Sequence, residues 1–361
     1  MKKITCFISS LAAGGAEHQL VVLANLLSEK GYDVDFVTCL EDEDYYQLNS
    51  SINHIKIPSG NSNFVSGLKM LWYFRTVNTD VVISFRERMN LTSIAGCLGR
   101  NIKLIAGERS FTVNKPTLVG YLVQKFLYRF ADYIVANSYS QAQYLRNLKK
   151  SWANRVRTII NYTDLNEFDI SSEPKDDSVI KFGVFARFSH HKNCLNFIKM
   201  LSILRLETNT QFEVHWYGQR KGKINDSYYA NVLKCIDDYN VGDIFKIHDA
   251  VTNVPVLMKD FHAMVLPSFF EGFSNSIAEG ICCGKPMLVS DVSDNSVMVH
   301  EGENGFLYNP SNIQSMIEAF KKFLSLTKDE RLKMSSNSRK IAENLFEAEK
   351  FVNSYIELIE S

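Results

Sequence analysis

Short apolar runs that alternate with amphipathic helical patterns constrain this chain more than any other feature. Residues 4–10 read as a buried strand, and a leucine stripe at helical spacing follows over 16–29. Strands that alternate with helices predict a mostly parallel sheet covered by helices on both faces. The chain is therefore expected to adopt an α/β fold. Later strands are predicted at 32–39, 81–85, 103–106 and 133–137.

The alternation breaks at a polar stretch, 169–177, and then restarts. Pro174 and the surrounding charges make this stretch a linker candidate. Because 361 residues exceed what one hydrophobic core usually organises, we predict two doubly wound domains, 1–170 and 178–340. The end of the chain, 341–361, is expected to be a helix that packs back on the first domain. Strands of the second domain are predicted at 180–186, 212–217, 245–248, 263–266 and 287–290.

Composition excludes several classes of protein. Lys+Arg and Asp+Glu both number 40, so bulk charge does not indicate a nucleic-acid partner. Seven cysteines without a C-x-x-C spacing favour buried reduced thiols over a structural zinc site. The amino terminus superficially resembles a signal peptide, but its apolar core is short and interrupted, so we favour a first strand. No run approaches the length of a membrane-spanning helix, and a cytoplasmic protein is expected.

Two carboxylates, Glu271 and Glu279, flank a Gly/Ser/Asn turn that leads from a predicted strand into a predicted helix. The N–H groups at a helix start favour a bound anion, so this turn could hold a phosphorylated ligand with hydroxyls nearby. The structural alternative is equally open. Ser276 and Glu279 fit a capping box, and Glu271 could be a solvated turn residue.

Two further turns follow predicted strands. The first, Ala12–Glu17, contains paired glycines that permit close approach of a ligand to the backbone, although Glu17 could simply face the helix dipole. In the second, Arg187 and Lys192 bracket the loop before a helix. Two cations at a helix start suit a diphosphate, although solvated loop cations are the alternative.

Together, G-G-A-E, G-x-x-x-R-x-x-x-x-K-N and E-G-F-S-N-S-I-A-E resemble glycosyltransferase family 4. The resemblance implies a retaining enzyme of the GT-B fold, with two Rossmann-like domains facing a central cleft and a nucleotide-sugar donor. It implies that Glu279 grips the ribose hydroxyls and that Glu271 lies by the transferred sugar. Arg187 and Lys192 would neutralise the diphosphate. Donor contacts are also implied at Gly15, Phe273, Ser274 and Asn275.

The resemblance has one departure on the donor side and one further part on the acceptor side. Ala186 stands where the family often has glycine, which is a mild change. The segments 84–88 and 108–110 resemble the acceptor-side segments of bacterial polysaccharide transferases that add hexosamine-type sugars to lipid-linked intermediates. Ion pairs with Glu87 and Glu108 are the alternative for their arginines. The candidates for binding an acceptor phosphate are Arg86, Arg88 and Arg109.

Neither a metal nor a cofactor is predicted. The stretch 41–44 contains a literal D-x-D but reads as a solvated loop. Residues 64–75 and 118–130 mix aromatic with basic residues, as in helices that lie on membrane surfaces. Core-facing helices with basic outer faces would explain the same pattern.

The predicted function is transfer of a sugar from a UDP-sugar to a glycan or polyprenyl-linked acceptor, without a metal and with retention of the anomeric configuration. A hexosamine is one candidate for the transferred sugar. The setting would be bacterial surface polysaccharide or O-antigen assembly, with peripheral contact at the inner face of the cytoplasmic membrane. Two alternatives stay open: a nucleotide-sugar epimerase on the same fold, and a non-catalytic partner subunit that binds a nucleotide sugar.

Overall fold

The structure, a computed structural model, divides the chain into two units. It describes residues 2–12, 14–40, 44–57, 63–109, 118–168, 174, 178–218, 226–251 and 253–361, without the side chains of 63–65, 118 and 226. One unit comprises Met1–Tyr162 with Ala348–Ser361, and the other Thr163–Glu347. The boundary precedes the predicted 170 because the last turn before the linker packs on the second unit, where the Arg339 side chain donates to the Phe168 carbonyl at 2.8 Å. Apart from Pro174, the predicted linker lies outside the described residues.

The first unit is built around a parallel sheet in the order β3-β2-β1-β4-β5-β6-β7. Four consecutive side chains of the central first strand, Ile4 to Phe7, are fully buried, as expected where helices cover both faces. The elements are β1 (Lys3–Phe7), α1 (Gly15–Glu29), β2 (Asp33–Thr38), β3 (Asn53–Lys56), α2 (Asn63–Thr76), β4 (Val81–Phe85), α3 (Glu87–Cys97), β5 (Lys103–Glu108), α4 (Leu118–Leu122), β6 (Tyr133–Ala136), α5 (Tyr139–Leu148) and β7 (Val156–Thr158).

The second unit repeats this plan in the order β10-β9-β8-β11-β12-β13, again with parallel neighbours. Its elements are β8 (Ile180–Phe185), α6 (Cys194–Glu207), β9 (Phe212–Tyr217), α7 (Asp226–Asp238), β10 (Phe245–His248), α8 (Val254–Met258), β11 (Ala263–Leu266), α9 (Asn275–Cys282), β12 (Met287–Ser290), α10 (Asn295–Met298), β13 (Gly305–Tyr308), α11 (Ile313–Leu324) and α12 (Lys328–Leu345). The last helix of the chain is α13 (Ala348–Glu360).

Strand order reverses once in each sheet, between β1 and β4 and between β8 and β11. Loops on the two sides of such a point leave toward opposite faces and open a crevice at the carboxyl ends of the strands, where ligands of doubly wound folds bind. Each predicted ligand segment follows a strand of this kind or its direct neighbour. The two predicted doubly wound sheets are confirmed.

The single helix predicted over 118–130 is wrong in detail. After α4 the chain forms a π-helix, Val123–Leu127, and a 3-10 turn, Tyr128–Phe130. A π turn brings residues five apart to one face, which allows Val123 and Tyr128 both to be fully buried. An ideal α-helix would turn one of them toward solvent.

The final helix, α13, belongs to the first unit and supplies Phe351, Val352 and Tyr355 to its core. Lys2 and Lys103 donate to the carbonyl of Ile359 at 2.6 and 3.0 Å, so two cations cap the negative end of the helix dipole. Residues 341–345 instead complete α12 in the second unit.

All seven cysteines are buried and free, as the sequence predicts. Within the described residues, no helix combines the length and the apolarity needed to cross a bilayer.

Replacing Tyr355 by Phe tests how α13 is held. The Tyr355 hydroxyl accepts from the Arg109 guanidinium at 2.6 Å, and its loss leaves a buried cationic donor without that partner. We expect Tyr355→Phe to lower the free energy of unfolding by about 2 kcal/mol in urea titrations. Ser354→Ala is the matched control, because it removes a partly exposed hydroxyl that donates to the Lys350 carbonyl of the same helix at 2.8 Å, and it should change the free energy of unfolding little. Equal stability of the two variants would contradict the inferred role of this contact.

Candidate active site

Two loops of the second unit lie side by side because β8 and β11 are neighbours and their carboxyl ends share one edge of the sheet. The loop after β8 ends in a 3-10 turn, His190–Lys192, and the loop after β11 contains Phe269 to Glu271. The Phe269 N–H donates to the His191 carbonyl at 2.8 Å, and the His191 ring stacks on Phe270 at 5.4 Å. These contacts fix one loop against the other.

Lys192 and Glu271 form an ion pair at the junction of the two loops. The Lys192 ammonium lies 2.5 Å from a Glu271 carboxylate oxygen, and their side chains are only 15% and 11% exposed. The alternatives of a solvated loop cation and a solvated turn residue are therefore wrong for these two side chains. The structure thus brings together two residues that are distant in sequence and that the sequence analysis predicts to contact the same nucleotide-sugar donor.

Arg187 lies two residues beyond the end of β8, in the loop that leads to Lys192, and is exposed. It makes no ion pair with any other residue that the structure describes. It lies close enough to His191 to disfavour its protonated form: burial lowers the pKa of His191 most, and Lys192 and Arg187 lower it further. The loop thus carries an excess of positive charge beside one paired carboxylate.

Ser293, which the sequence analysis missed, positions Glu271. Its hydroxyl donates to the Glu271 carbonyl at 2.5 Å and accepts from the Glu271 N–H at 3.2 Å. Its φ of 52° is left-handed, a conformation that costs a non-glycine residue about 1–3 kcal/mol. The available signal was the Ser/Asp/Asn-rich loop after β12, next to β11 in the sheet.

The helix α9 begins at Asn275, with Ser274 as its N-cap. The capping-box alternative is wrong, because Ser274 rather than Ser276 is the N-cap and Glu279 lies beyond the third helical position. Ser274 makes no capping hydrogen bond through its side chain. Phe273 is buried edge-on against Phe346, with ring centres 6.1 Å apart, and this packing fixes the entry to the helix.

Glu279 is a half-buried carboxylate that projects from α9. Burial raises its pKa to about 7, and the nearby Glu167 carboxylate adds to the increase. Its carboxylate makes no hydrogen bond or ion pair with the residues that the structure describes. A carboxylate in this state can accept hydrogen bonds from ligand hydroxyls, and shifted pKa values of this kind are typical of functional sites.

In the first unit the corresponding crevice lies between β1 and β4. Gly15 begins α1, and a Cβ on Gly14 would lie 2.3 Å from a Glu17 carboxylate oxygen. The buried Glu17 carboxylate forms an ion pair with Arg86 at 2.7 Å. This partner was not predicted by the alternative in which Glu17 only faces the helix dipole. Arg86 itself has a φ of 79° at the start of α3. Residues after two different strands thus hold the glycine turn.

The three acceptor-side arginines have different surroundings. Arg88 is exposed, and no described residue forms an ion pair with it. Arg109 points into the unit, where it donates to Asn161 at 2.8 Å and to Tyr355 and lies 3.9 Å above the Phe85 ring. Burial lowers the pKa of Arg109. The guanidinium of Arg109 is therefore occupied by contacts within the unit, whereas that of Arg88 is exposed to solvent.

The predicted alternative partner of Arg109, Glu108, has other contacts. It accepts hydrogen bonds from Tyr128 and from Gln124, the latter at 3.3 Å. Burial raises the pKa of Glu108 to about 7. The alternative of an ion pair between Glu108 and Arg109 is therefore wrong, because each side chain is held by other partners.

The D-x-D stretch is only partly described. Residues 41–43 lie outside the described residues, and Asp44 pairs with Lys56 at 2.6 Å. In the described ranges, no group of three or more His, Cys, Asp or Glu side chains is arranged to hold a metal ion.

Family models account for nearly the whole chain. The model described as Glycosyltransferase Family 4 matches residues 13–167, and Glycosyl transferases group 1 matches residues 166–341. The chain belongs to glycosyltransferase family 4. The boundary between the two matches falls close to the boundary between the two units.

Curated relatives of this glycosyltransferase are bacterial. An α-1,4-N-acetylgalactosaminyltransferase of Campylobacter jejuni, named for a GalNAc-GalNAc-diNAcBac-PP-undecaprenol acceptor, is 28% identical over 78% of this chain and 77% of its own. An uncharacterised glycosyltransferase of Haemophilus influenzae is 24% identical over 95% and 96%.

Solved structures share the GT-B fold at low sequence identity. A sucrose-phosphate synthase of Thermosynechococcus elongatus aligns with a TM-score of 0.82 at 18% identity, over 100% of this chain and 98% of its own. HepE of Anabaena, solved in complex with UDP and glucose, aligns with a TM-score of 0.80 at 18% identity over all of both chains. The GT-B fold predicted from the sequence is confirmed.

The raised pKa of Glu279 makes a prediction about stability and pH. The folded protein holds a proton on Glu279 that the unfolded chain releases at the ordinary carboxyl pKa, so stability falls as pH rises from that value through about 7. Glu279→Gln should remove its share of the fall and stabilise the protein by on the order of 2 kcal/mol at about pH 8.

Thermal or urea unfolding at several pH values checks this. Glu318→Gln replaces an exposed carboxylate of the same unit and serves as the control. Glu108 contributes in the same direction, so a smaller pH dependence should persist in Glu279→Gln. A pH profile identical to that of the wild type would contradict the inferred state of Glu279.

Proposed function

We propose that this glycosyltransferase moves a sugar from a UDP-sugar to a polyprenyl-linked glycan, with retention at the anomeric carbon and without a metal. One observation carries the proposal: the Lys192–Glu271 pair connects the two loops at the β8/β11 crevice, in the unit where Glu279 projects unpaired from α9. Cations, carboxylates and a helix start are the groups that a nucleotide diphosphate sugar requires.

The positive groups would stabilise the leaving diphosphate. As the bond between the anomeric carbon and the phosphate oxygen breaks, negative charge grows on the diphosphate, and fixed cations lower the barrier most when they need no rearrangement. Lys192 is held by its ion pair, and Arg187 has no competing ion-pair partner among the described residues. The start of α9 would add backbone N–H donors at Phe273, Ser274 and Asn275. These groups can supply the charge that a metal supplies elsewhere.

The two carboxylates would have different tasks. Glu279, with its pKa near 7, is suited to accept hydrogen bonds from the ribose hydroxyls. Glu271 would lie by the transferred sugar, where it offsets the positive charge that develops on the ring. In a retaining, front-face reaction the acceptor oxygen bonds the anomeric carbon as the phosphate leaves, and its proton passes to a phosphate oxygen.

The names of relatives support the choice of substrates. Three Campylobacter jejuni relatives are named as N-acetylgalactosaminyltransferases with undecaprenyl-diphosphate-linked acceptors. An Escherichia coli relative is named for UDP-Gal and an undecaprenyl-diphosphate-linked acceptor. We therefore favour UDP over other nucleotides and a hexosamine as one candidate sugar. Arg86 and Arg88 are the candidates for binding the acceptor diphosphate at the inner face of the membrane.

Lys192→Ala should weaken binding of a UDP-sugar by tenfold or more, measured by calorimetry, because a charge-assisted contact is lost and Glu271 is left unpaired beside the diphosphate. Lys321→Ala is the matched control, because it removes a lysine of the same unit from an exposed ion pair with Glu207 at 2.6 Å. Equal affinity of both variants for UDP-sugars would refute the assigned diphosphate site. Tight binding of GDP- or ADP-sugars instead would correct the nucleotide.

The products distinguish the three candidate functions. We expect transfer to a synthetic polyprenyl-diphosphate glycan, with the donor's anomeric configuration retained in the product by NMR and with no loss of rate in EDTA. An altered sugar without an acceptor would indicate an epimerase. Binding without hydrolysis or transfer would indicate a non-catalytic subunit. Inverted product or abolition of transfer by EDTA would each overturn part of the proposal.

A further inference from the structure

One short segment of the first unit exposes an unusual concentration of large apolar side chains. Within 118–130, the exposed fractions are 42% for Tyr121, 44% for Leu122, 47% for Phe126 and 38% for Phe130. The opposite side of the same segment is fully buried at Val123 and Tyr128. The segment is thus anchored in the core on one side and apolar toward solvent on the other.

The π-helical turn produces this arrangement. Tyr121 and Phe126 are five residues apart, and the turn places their rings 6.5 Å from each other in an edge-to-face contact. In an ideal α-helix this spacing would direct them to different sides. π turns inside helices occur frequently at functional sites, since they alter which residues share a face.

Cations surround these rings. The Lys125 ammonium lies 4.8 Å from the Tyr121 ring centre, the Arg129 guanidinium 4.7 Å from that of Phe130, and the Lys149 ammonium 5.9 Å from that of Phe126. Residues 118–155 contain six Lys or Arg and one acidic residue, Asp132, in a chain whose net charge is zero. Asp132 is used internally, where it accepts from the Leu104 N–H at 2.7 Å.

We propose that this aromatic–basic face, defined by Tyr121, Leu122, Phe126, Phe130, Lys125, Arg129 and Lys149, docks on an anionic phospholipid bilayer. Aromatic rings insert at the level of the headgroups, and each nearby cation adds to the attraction of an anionic leaflet. The local positive charge matches such a surface and sets it apart from a neutral protein partner.

The inference rests on the proposed function, because a polyprenyl-linked acceptor would be presented at that bilayer. The buried side of the segment contacts the carboxyl end of β5 through hydrogen bonds from Tyr128 and Gln124 to Glu108. A Cβ on Gly120 would lie 2.3 Å from a Glu87 carboxylate oxygen, so α4 also packs against the residue between Arg86 and Arg88. Docking would therefore bring the acceptor-side arginines close to the membrane.

Vesicle co-sedimentation of the full chain tests the proposal. We expect binding to phosphatidylglycerol/phosphatidylcholine vesicles that weakens with salt, and at least about tenfold less binding to pure phosphatidylcholine. The double variant Tyr121→Ser/Phe126→Ser and the charge variant Lys125→Glu/Lys149→Glu should each reduce binding about tenfold or more. Leu206→Ser, at an 83% exposed leucine of the second unit, is the matched control and should bind like the wild type.

The outcomes are separable from those of the proposed function. Circular dichroism and UDP-sugar calorimetry on the same variants should match the wild type, which establishes that folding and the donor site are intact. The membrane assignment would be overturned if the wild type did not bind vesicles, if its binding did not depend on lipid charge, or if both variants bound as well as the wild type. Loss of UDP-sugar binding with vesicle binding preserved would instead count against the proposed function alone.

Discussion

The reversal of strand order within each sheet is the constraint on which the rest of this protein depends. Neighbouring parallel strands end at the same edge, so the loops after β8 and β11 meet, and the turn after β1 meets the start of α3 after β4. Lys192 reaches Glu271 and Arg86 reaches Glu17 for the same topological reason. In both units the ion pair joins residues that are far apart in sequence and adjacent only because of the sheet.

Several unfavourable local features lie at these crevices. Arg86 and Ser293 have left-handed backbone, Glu279 is a carboxylate held without a partner, and α9 starts without a side-chain cap. Each lowers stability, and the buried sheets beneath them tolerate the cost. This distribution is typical of sites shaped by ligand binding rather than by folding alone.

Much of this organisation could be predicted from residue patterns, and the failures have physical causes. The limits of β4, β9 and β11 were predicted correctly, because β4 and β11 are almost entirely apolar and buried and β9 alternates buried apolar residues with half-buried ones. The edge strands β3 and β7 were missed because few of their residues are buried, which leaves little periodic signal. The edge strand β13 is mostly buried but only four residues long, and it was missed too. The direction of Arg109 and the hydrogen bonds of Ser293 depend on tertiary neighbours, which no local pattern encodes.

The return of α13 to the first unit has a consequence for how the protein is made. Five buried side chains of α13 complete a core whose other members lie in the first 162 residues: Phe351, Val352, Tyr355, Leu358 and Ile359. During synthesis the amino-terminal sheet must therefore wait, with an apolar surface uncovered, until the whole second unit and the last helix have left the ribosome. Premature termination anywhere before 348 would leave that surface open, so a truncated chain is a substrate for chaperones and proteases rather than a smaller enzyme.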